Sequence, residues 1–425
     1  MAETIEVSIP YGTGALSVTV PRTSFLGTAL AAKPLIPAAD EADAVQRALE
    51  QPVGAKLLRD TLKTTDTVAV IVSDYTRPTP SGIILGPVLA ELDRIGISKA
   101  NISIVVACGL HEPSPPESLV RMLGQDIIDN YKVVNHNADD LENLVPVGAT
   151  SGGIPVKINR LVAKADFRLA IGAIDPHRFA GWSGGAKNLL PGVAARETVN
   201  AHHVLLTHAS SRLGTTGENP FRVQLEEAAR LARLDYIVNV VLSADKRIAY
   251  AVAGDAVEAH RAGVSYAETR IRAEVAVKAD VVIASPGGAP RDSEFWQTEG
   301  KCLGTVSEVI RDGGTLIVAA QCSKGVGNPE FAEYLAMTVA GIEEAFAKRP
   351  FSMALAKAYK FAVLAQRVKV YLVSEGIGAA DLPNFPVKFF QTLQDALQHA
   401  LEDYPQAKVL AIPDAAGVVL KLSEV

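Results

Sequence analysis

Most of the side chains able to do chemistry sit in four short segments, each just after or beside an apolar run. They are Ser73-Asp74-Tyr75-Thr76-Arg77-Pro78-Thr79-Pro80, Gly109-Leu110-His111-Glu112-Pro113, Asp175-Pro176-His177 and Phe295-Trp296-Gln297-Thr298-Glu299-Gly300-Lys301. Loops at the carboxyl ends of parallel strands form ligand crevices in α/β sheets. Taken singly, Arg77 reads as a structural or surface arginine and Lys301 as a solvated lysine; their shared placement with His111 favours function. The densest stretch is Asp175 to Gly192, DPHRFAGWSGGAKNLLPG. Within it, Gly181-Trp182-Ser183-Gly184-Gly185 matches the GxSxG elbow that would make Ser183 a hydrolase nucleophile. An elbow needs a strand directly before its serine, and Pro176 to Ala180 intervene here. Lys187 follows Ala and precedes Asn, so the stretch is not a Walker A loop. Gly184 and Gly185 can still present backbone N–H groups to a phosphate, or simply make a tight turn. Six of the eight histidines lie between residues 111 and 208. His202, His203 and His208 fall on a helix expected from about Glu197. The five-residue spacing of His203 and His208 excludes an HExxH-type pair. One of these histidines, with groups from other loops, can bind a metal as neutral imidazole; a capped or core histidine is the alternative.

The elements that must position these loops are legible as apolar runs. Val68 to Ser73 and Ile102 to Ala107 are of the kind a sheet buried on both faces requires, with Ser81 to Ile95 a helix between them despite Pro87. Phe167 to Ile171 and Ile237 to Leu242 read as further strands. A second series comprises Ala279 to Ser285, Thr315 to Ala320, Val368 to Ser374 and Lys408 to Ile412, with helices at Thr338 to Lys348 and Gln391 to Glu402. The alternation predicts an α/β protein with mainly parallel sheets. Tyr11-Gly12-Thr13-Gly14 sits between two alternating runs as an N-terminal hairpin. The boundary falls near residue 270, giving domains 1–270 and 271–425, and 425 residues suit two or three domains. Net charge −6 without Lys/Arg clusters argues against nucleic acid as main partner. No 18-residue apolar run exists for a membrane span. Glu3 and Glu6 stand where a signal peptide needs basic residues. Three scattered cysteines form neither a disulfide framework nor a CxxC zinc pair. A cytoplasmic, metabolic protein is the expectation.

SDYTRPTP, GLHEP, DPHRFAGWSGGAKNLLPG, Asn200-Ala201-His202-His203, FWQTEGK and the GNPEFAEYL segment from Gly327 resemble, over nearly the whole chain, the nickel-pincer lactate racemase family of 2-hydroxyacid racemases and epimerases. The resemblance implies two α/β domains with the active site in the cleft between them. It implies nickel held in a nickel-pincer nucleotide of the pyridinium-3,5-bisthiocarboxylic acid mononucleotide type, through carbon and two sulfurs. Lys187 matches the lysine tethered to that cofactor through a thioamide, and His203 matches the histidine that completes the nickel coordination, with His202 second to it. Asp74, Ser183, Gly184 and Gly185 are further cofactor-binding candidates. His111 and His177 match the catalytic acid/base pair. Arg77, Gln297 and Lys301 are candidates for binding the substrate, and cofactor-synthesis enzymes are implied as activating partners.

The residue chemistry is compatible with these roles. Racemising a 2-hydroxyacid through a 2-keto intermediate requires hydride removal from carbon and proton removal from the hydroxyl. A base on each side of the substrate lets either enantiomer react, and histidine exchanges protons near neutral pH. Arg77 can grip a carboxylate as a bidentate fork. Asp74 can orient Arg77 or bond the cofactor. The hydride acceptor is a centre the protein cannot itself supply. Two departures bear on the substrate: Glu112 stands where typical lactate racemases have a basic residue, and QTEGK sets its Lys one residue further from its Gln. Both favour asking whether the substrate is a larger or polyhydroxylated 2-hydroxyacid. The alternatives are a serine hydrolase acting through Ser183, which a fluorophosphonate would label, and an inactive homologue that binds a small molecule or cofactor without turnover.

Overall fold

The computed structural model describes residues 3–31, 33–349, 351–382, 384–404 and 406–423. The chain divides into one unit of Pro34–Thr269 and a second of Met1–Lys33 with Arg270–Val425. The expected first domain, 1–270, therefore gives up its N-terminal segment. The reason is pairing: of the N-terminal strands β1 (Thr4–Tyr11), β2 (Gly14–Pro21) and β3 (Phe25–Thr28), the third runs parallel along a strand near the C-terminus. The β1–β2 hairpin turns at Gly12-Thr13, as its sequence predicts.

The unit 34–269 is built on a six-stranded sheet. Its strands are β4 (Val68–Ser73), β5 (Ile102–Ala107), β6 (Lys132–Asn135), β7 (Phe167–Ile174), β8 (Tyr236–Leu242) and β9 (Ile248–Gly254), in the order β6-β5-β4-β7-β8-β9. All neighbours are parallel except β8 and β9. Helix α1 (Ser81–Ile95) covers β4 with the stripe Ile84, Leu85, Val88, Leu89 and Leu92, at the spacing of one helical face. It ends at Gly96, whose φ of 90° is the left-handed cap glycine accepts readily. Three more helices bear on the site: α2 (Arg196–His203), α3 (Pro220–Leu231) and α4 (Glu258–Ile271). His208 lies beyond α2, after a short 3-10 turn, rather than on it. The antiparallel edge strand β9 and the hairpin Leu144–Ala149 with Pro155–Asn159 were not anticipated.

The second unit is also doubly wound on six strands, split four and two about its switch point rather than three and three. Strands β10 (Ala279–Ala284), β11 (Ile310–Ala319), β12 (Lys369–Val373), β13 (Lys388–Phe390) and β14 (Val409–Ile412) join β3 in the all-parallel order β13-β12-β11-β10-β14-β3. One face takes helix α5 (Met353–Arg367) and its neighbours; the other takes the β1–β2 hairpin and α6 (Leu393–Asp403). Alternation along β10 sends Val282 and Ala284 to the first face, and Val281 and Ile283 to the second. Both sheets match the expected α/β class with mainly parallel strands.

Candidate active site

In the unit 34–269 the strand order reverses between β4 and β7, and ligands of open α/β sheets bind beyond the carboxyl ends at such a switch point. Asp74 directly follows β4, His111 follows β5, and His177 follows β7. Asp74 is 3% exposed, and its Oδ2 lies 3.1 Å from Nδ1 of His111. Its Oδ1 accepts the Thr76 backbone N–H at 2.8 Å and the Thr76 hydroxyl. Arg77 Nε stands 3.8 Å from Oδ2, with most of its side chain exposed. Burial alone would raise the Asp74 pKa, but the hydrogen bonds from His111 and Thr76, with the Arg77 charge, outweigh it and lower it. An ionised Asp74 accepts Nδ1–H from His111, which leaves the His111 lone pair on Nε2.

His177 is fixed in the opposite sense. Its Nδ1 accepts backbone N–H groups from Phe179 (3.2 Å) and Ala180 (3.1 Å), so the neutral ring carries its proton on Nε2. That Nε2 lies 3.1 Å from Nζ of Lys187. A donor at Nε2 requires an acceptor opposite, and lysine accepts only as the unprotonated amine. The electrostatics agree. Lys187 is held well below the ordinary lysine range, first by burial, then by Arg222 and Arg77. His177 is likewise pushed well below the usual imidazole value, by burial and then by Lys187, Arg77 and Arg222.

Lys187 stands on a 3-10 turn, Gly185–Asn188, which Gly184 and Gly185 enter with φ of 75° and 61°. A Cβ on Gly184 would come within 2.7 Å of Asn239 Oδ1, and one on Gly185 within 3.0 Å of the His260 ring. Only glycine fits both the torsions and the space. The Gly185 N–H donates to Asn239 Oδ1 at 2.6 Å. The Ser183 hydroxyl contacts the carbonyls of Ala173 (2.9 Å) and Asp175 (3.1 Å) and accepts the Asp175 N–H at 2.8 Å. These groups are therefore engaged in shaping the loop, and Ser183 Oγ has no imidazole among these bonds. Gly109 N–H donates to the Gly192 carbonyl at 2.9 Å, which ties the His111 loop to the end of the Lys187 loop.

On α2 the two histidines separate by environment. His203 Nδ1 donates to the Val199 carbonyl at 2.9 Å, so its lone pair is on Nε2. Burial, then the neighbouring Lys187, brings its pKa down to about 4. His202 is fully buried against Phe221, with Nε2 on the Phe221 carbonyl at 2.8 Å. His203 is thus the better-placed neutral ligand. Among the described residues no group of three or more His, Cys, Asp or Glu could hold a metal alone.

Gln297 and Lys301 belong to the other unit. They lie on a helical turn, Phe295–Thr298, that continues as a π turn over Glu299–Leu303. The wider i→i+5 winding of a π turn takes in an extra residue, and Lys301 Nζ still reaches Gln297 Oε1 at 3.4 Å. Beneath them Lys357 Nζ lies 3.7 Å from the centre of the Trp296 ring, donates to the Trp296 carbonyl and stands 3.8 Å from Glu299.

Residues 11–214 match the lactate racemase N-terminal domain and residues 275–420 the lactate racemase C-terminal domain. Over 391 residues the chain is 33% identical to a lactate racemase of Lactiplantibacillus plantarum, covering 90% of this chain and 91% of that protein. The chain belongs to the lactate racemase family. A lactate racemase of Thermoanaerobacterium thermosaccharolyticum is 34% identical over 330 residues, 76% of each chain. The solved lactate racemase apoprotein from that organism superposes with a TM-score of 0.87 at 28% identity, covering 98% of this chain and all of that one. A Thermotoga maritima protein, 18% identical with a TM-score of 0.61 over 91% of this chain, shares the fold. Arg222, Asn239 and His260, which shape the Lys187 loop in this member of the lactate racemase family, lie outside every segment read as functional in the sequence. Asn239 left a signal: it is the one polar residue in the buried strand YIVNVVL apart from its first tyrosine.

Proposed function

We propose that this chain is a 2-hydroxyacid racemase or epimerase, an isomerase working through a 2-keto intermediate with a nickel-pincer nucleotide attached to Lys187. The observation that carries the reading is the Lys187 Nζ set 3.1 Å from Nε2 of His177, where burial and neighbouring cations hold both groups well below their ordinary pKa ranges. A thioamide tether needs a lysine nitrogen with its lone pair available, and His203 presents a neutral Nε2 donor for nickel; the residues fit the group. When bound, that cofactor supplies the hydride acceptor that no side chain can provide.

The chain's own residues do the rest. Arg77 binds the substrate carboxylate, with Gln297 and Lys301 as further substrate ligands. His111, with its lone pair on Nε2 and Asp74 behind it, takes the hydroxyl proton of one enantiomer. His177 presents its Nε2 as the second proton-exchanging group, on the loop beyond β7, for the other enantiomer. In the reverse direction the two exchange roles. Glu112 and the Gln297–Lys301 spacing make a larger or polyhydroxylated 2-hydroxyacid a candidate beside lactate. The Ser183 hydrolase reading loses ground, since the Ser183 hydroxyl is bonded to backbone.

Among the described residues no helix is long and apolar enough to cross a membrane. The three cysteines are free and buried, which fits a reducing cytoplasm. The deciding experiment is co-expression with the cofactor-synthesis enzymes, then intact mass, peptide mapping and nickel analysis. The expected result is an adduct on Lys187 and nickel that is lost in His203→Ala. Turnover is then read on a panel of 2-hydroxyacids. Active, nickel-loaded protein with unmodified Lys187 would remove the tether from the proposal.

A further inference from the structure

The loop carrying Lys187 is gripped from one side by a residue that no motif contains. Arg222, in the first turn of α3, has no exposed surface. Its Nε donates to the Ala180 carbonyl (3.2 Å), its Nη1 to that of Gly184 (3.4 Å), and its Nη2 to that of Trp182. The Gly184 carbonyl also accepts the Lys187 backbone N–H at 3.3 Å, so one oxygen joins the guanidinium to the residue bearing the amine. His260 of α4 holds the Ser183 carbonyl at 2.8 Å. Glu226, one turn along α3, lies 3.8 Å from Arg222 but 2.9 Å from Arg261, so one carboxylate serves two cations.

Neutral donors could satisfy three carbonyls. Burying a guanidinium instead costs several kcal/mol, and burial brings the Arg222 pKa down to about 10. The geometry therefore points to a use for the charge itself. We propose that Arg222 is the positioning residue that fits Lys187 for covalent attachment, its fork setting the loop and its buried positive charge disfavouring a second cation beside it. The groups acting on that amine are His177 beyond β7, Arg77 beyond β4 and Arg222 on α3, while His203 on α2 feels the lysine in turn. The inference rests on the proposed tether for its purpose. In that step the Lys187 nitrogen bonds to the carbon of a monothiocarboxyl group. The C–O bond breaks, and the oxygen leaves as water with one amine hydrogen and the thiol hydrogen, without oxidant or reductant.

The test reads the amine itself, in full-length apoprotein. Brief acetic anhydride pulses between about pH 6 and 10, a range spanning the ordinary lysine titration, are followed by peptide mass analysis of Lys187 against the exposed Lys63. The expected result is a Lys187 midpoint about two units or more below that of Lys63. Arg222→Gln should raise that midpoint by about one unit or more, the size of effect one nearby charge produces. Arg222→Lys, which keeps a charge but not the fork, should hold the midpoint yet label more slowly above it. Glu226→Gln, which removes the opposing charge, should lower the midpoint further. A folded Arg222→Gln protein with the wild-type midpoint overturns the proposal. If that variant does not fold, an unchanged midpoint in Glu226→Gln does so. A Lys187 profile that responds as expected in a protein that never acquires the cofactor would keep the Arg222 role and reject the tether instead.

Discussion

The two units are both doubly wound on six strands and differ in what occupies the switch point. In the unit 34–269, the carboxyl ends of β4, β5 and β7 carry Asp74, His111 and His177, with Asp74 bonded to His111 and Lys187 beside His177. In the other unit the equivalent point lies between β10 and β14, and the chain's own hairpin fills it. Ser285 Oγ donates to the Pro10 carbonyl (2.7 Å), Ala289 N–H to the Gly12 carbonyl (2.7 Å), and Gly12 N–H to the buried Asp292 (2.7 Å). A Cβ on Gly288 would come within 2.8 Å of the Gly12 carbonyl. Switch points of the same kind thus hold a cluster of titratable side chains in one unit and a packed joint in the other. Architecture offers the position, and the loops decide whether it becomes a site.

If that contrast is right, substitutions at the first switch point should remove chemistry and those at the second should remove stability. Lys187→Ala should show the largest effect, with complete loss of the covalent adduct by intact mass and loss of racemisation. Next, His111→Ala and His177→Ala should each retain nickel while turnover falls by about 10²–10⁴, the usual worth of a positioned acid or base; chiral analysis of product formation measures it.

The third prediction concerns acid. Buried His136, His202, His203 and His260 and half-buried His177 all have lowered pKa values, with desolvation the leading cause, and all lie in the unit 34–269. The unfolded chain protonates near the ordinary value of 6.5 while the folded unit resists. Stability present above that pH is therefore lost as pH falls, for His203 down to about 4, a loss of about 3 kcal/mol from that residue alone. Each unit holds one tryptophan, Trp182 and Trp296. In apoprotein, fluorescence of Trp296→Phe should report unfolding at higher pH than fluorescence of Trp182→Phe. Coincident acid transitions would erase the distinction.

Two smaller effects sharpen it. Lys301→Ala should raise KM about tenfold and lower kcat, as expected for a lost substrate ligand near 1.4 kcal/mol; unchanged constants would remove Lys301 from the site. Asp292→Asn should leave kcat and KM alone while lowering Tm by several degrees, in line with about 1–2 kcal/mol for a weakened buried hydrogen-bond acceptor.

What the sequence disclosed depended on how local the signal was. The runs at 68–73 and 102–107 and the helix 81–95 are found with the expected limits, because each announces itself by continuous apolarity or a cap glycine. The π turn over Glu299–Leu303, which holds Lys301 Nζ 3.4 Å from Gln297 Oε1, left no local mark in the sequence. Long-range contacts left none either. The sequence pairs Asp74 with Arg77 or the cofactor, yet its closer bond is to His111 on another loop. Arg222 and Glu226, four apart, have the spacing of a solvated helical ion pair, and nothing in their spacing tells that both are buried. Strand β3, FLGT, is four residues with an interior glycine, too short to read as a strand and too far from β14 to be assigned to its sheet.

That last strand has a consequence for biosynthesis. Phe25 pairs with Val409, so the sheet containing β3 cannot be completed until residue 409 has left the ribosome. At about 5–20 residues per second, the N-terminal hairpin waits tens of seconds, and an isolated two-stranded hairpin is marginal in water. Residues 34–269 hold all six strands of their own sheet and can fold in the interval. Lys33 N–H then bonds to the Arg270 carbonyl at 3.0 Å, bringing together the two points where the chain leaves and re-enters the second unit. The order of assembly is thus written into the connectivity: the unit proposed to take the cofactor can mature first, and the unit that encloses it in sequence closes last.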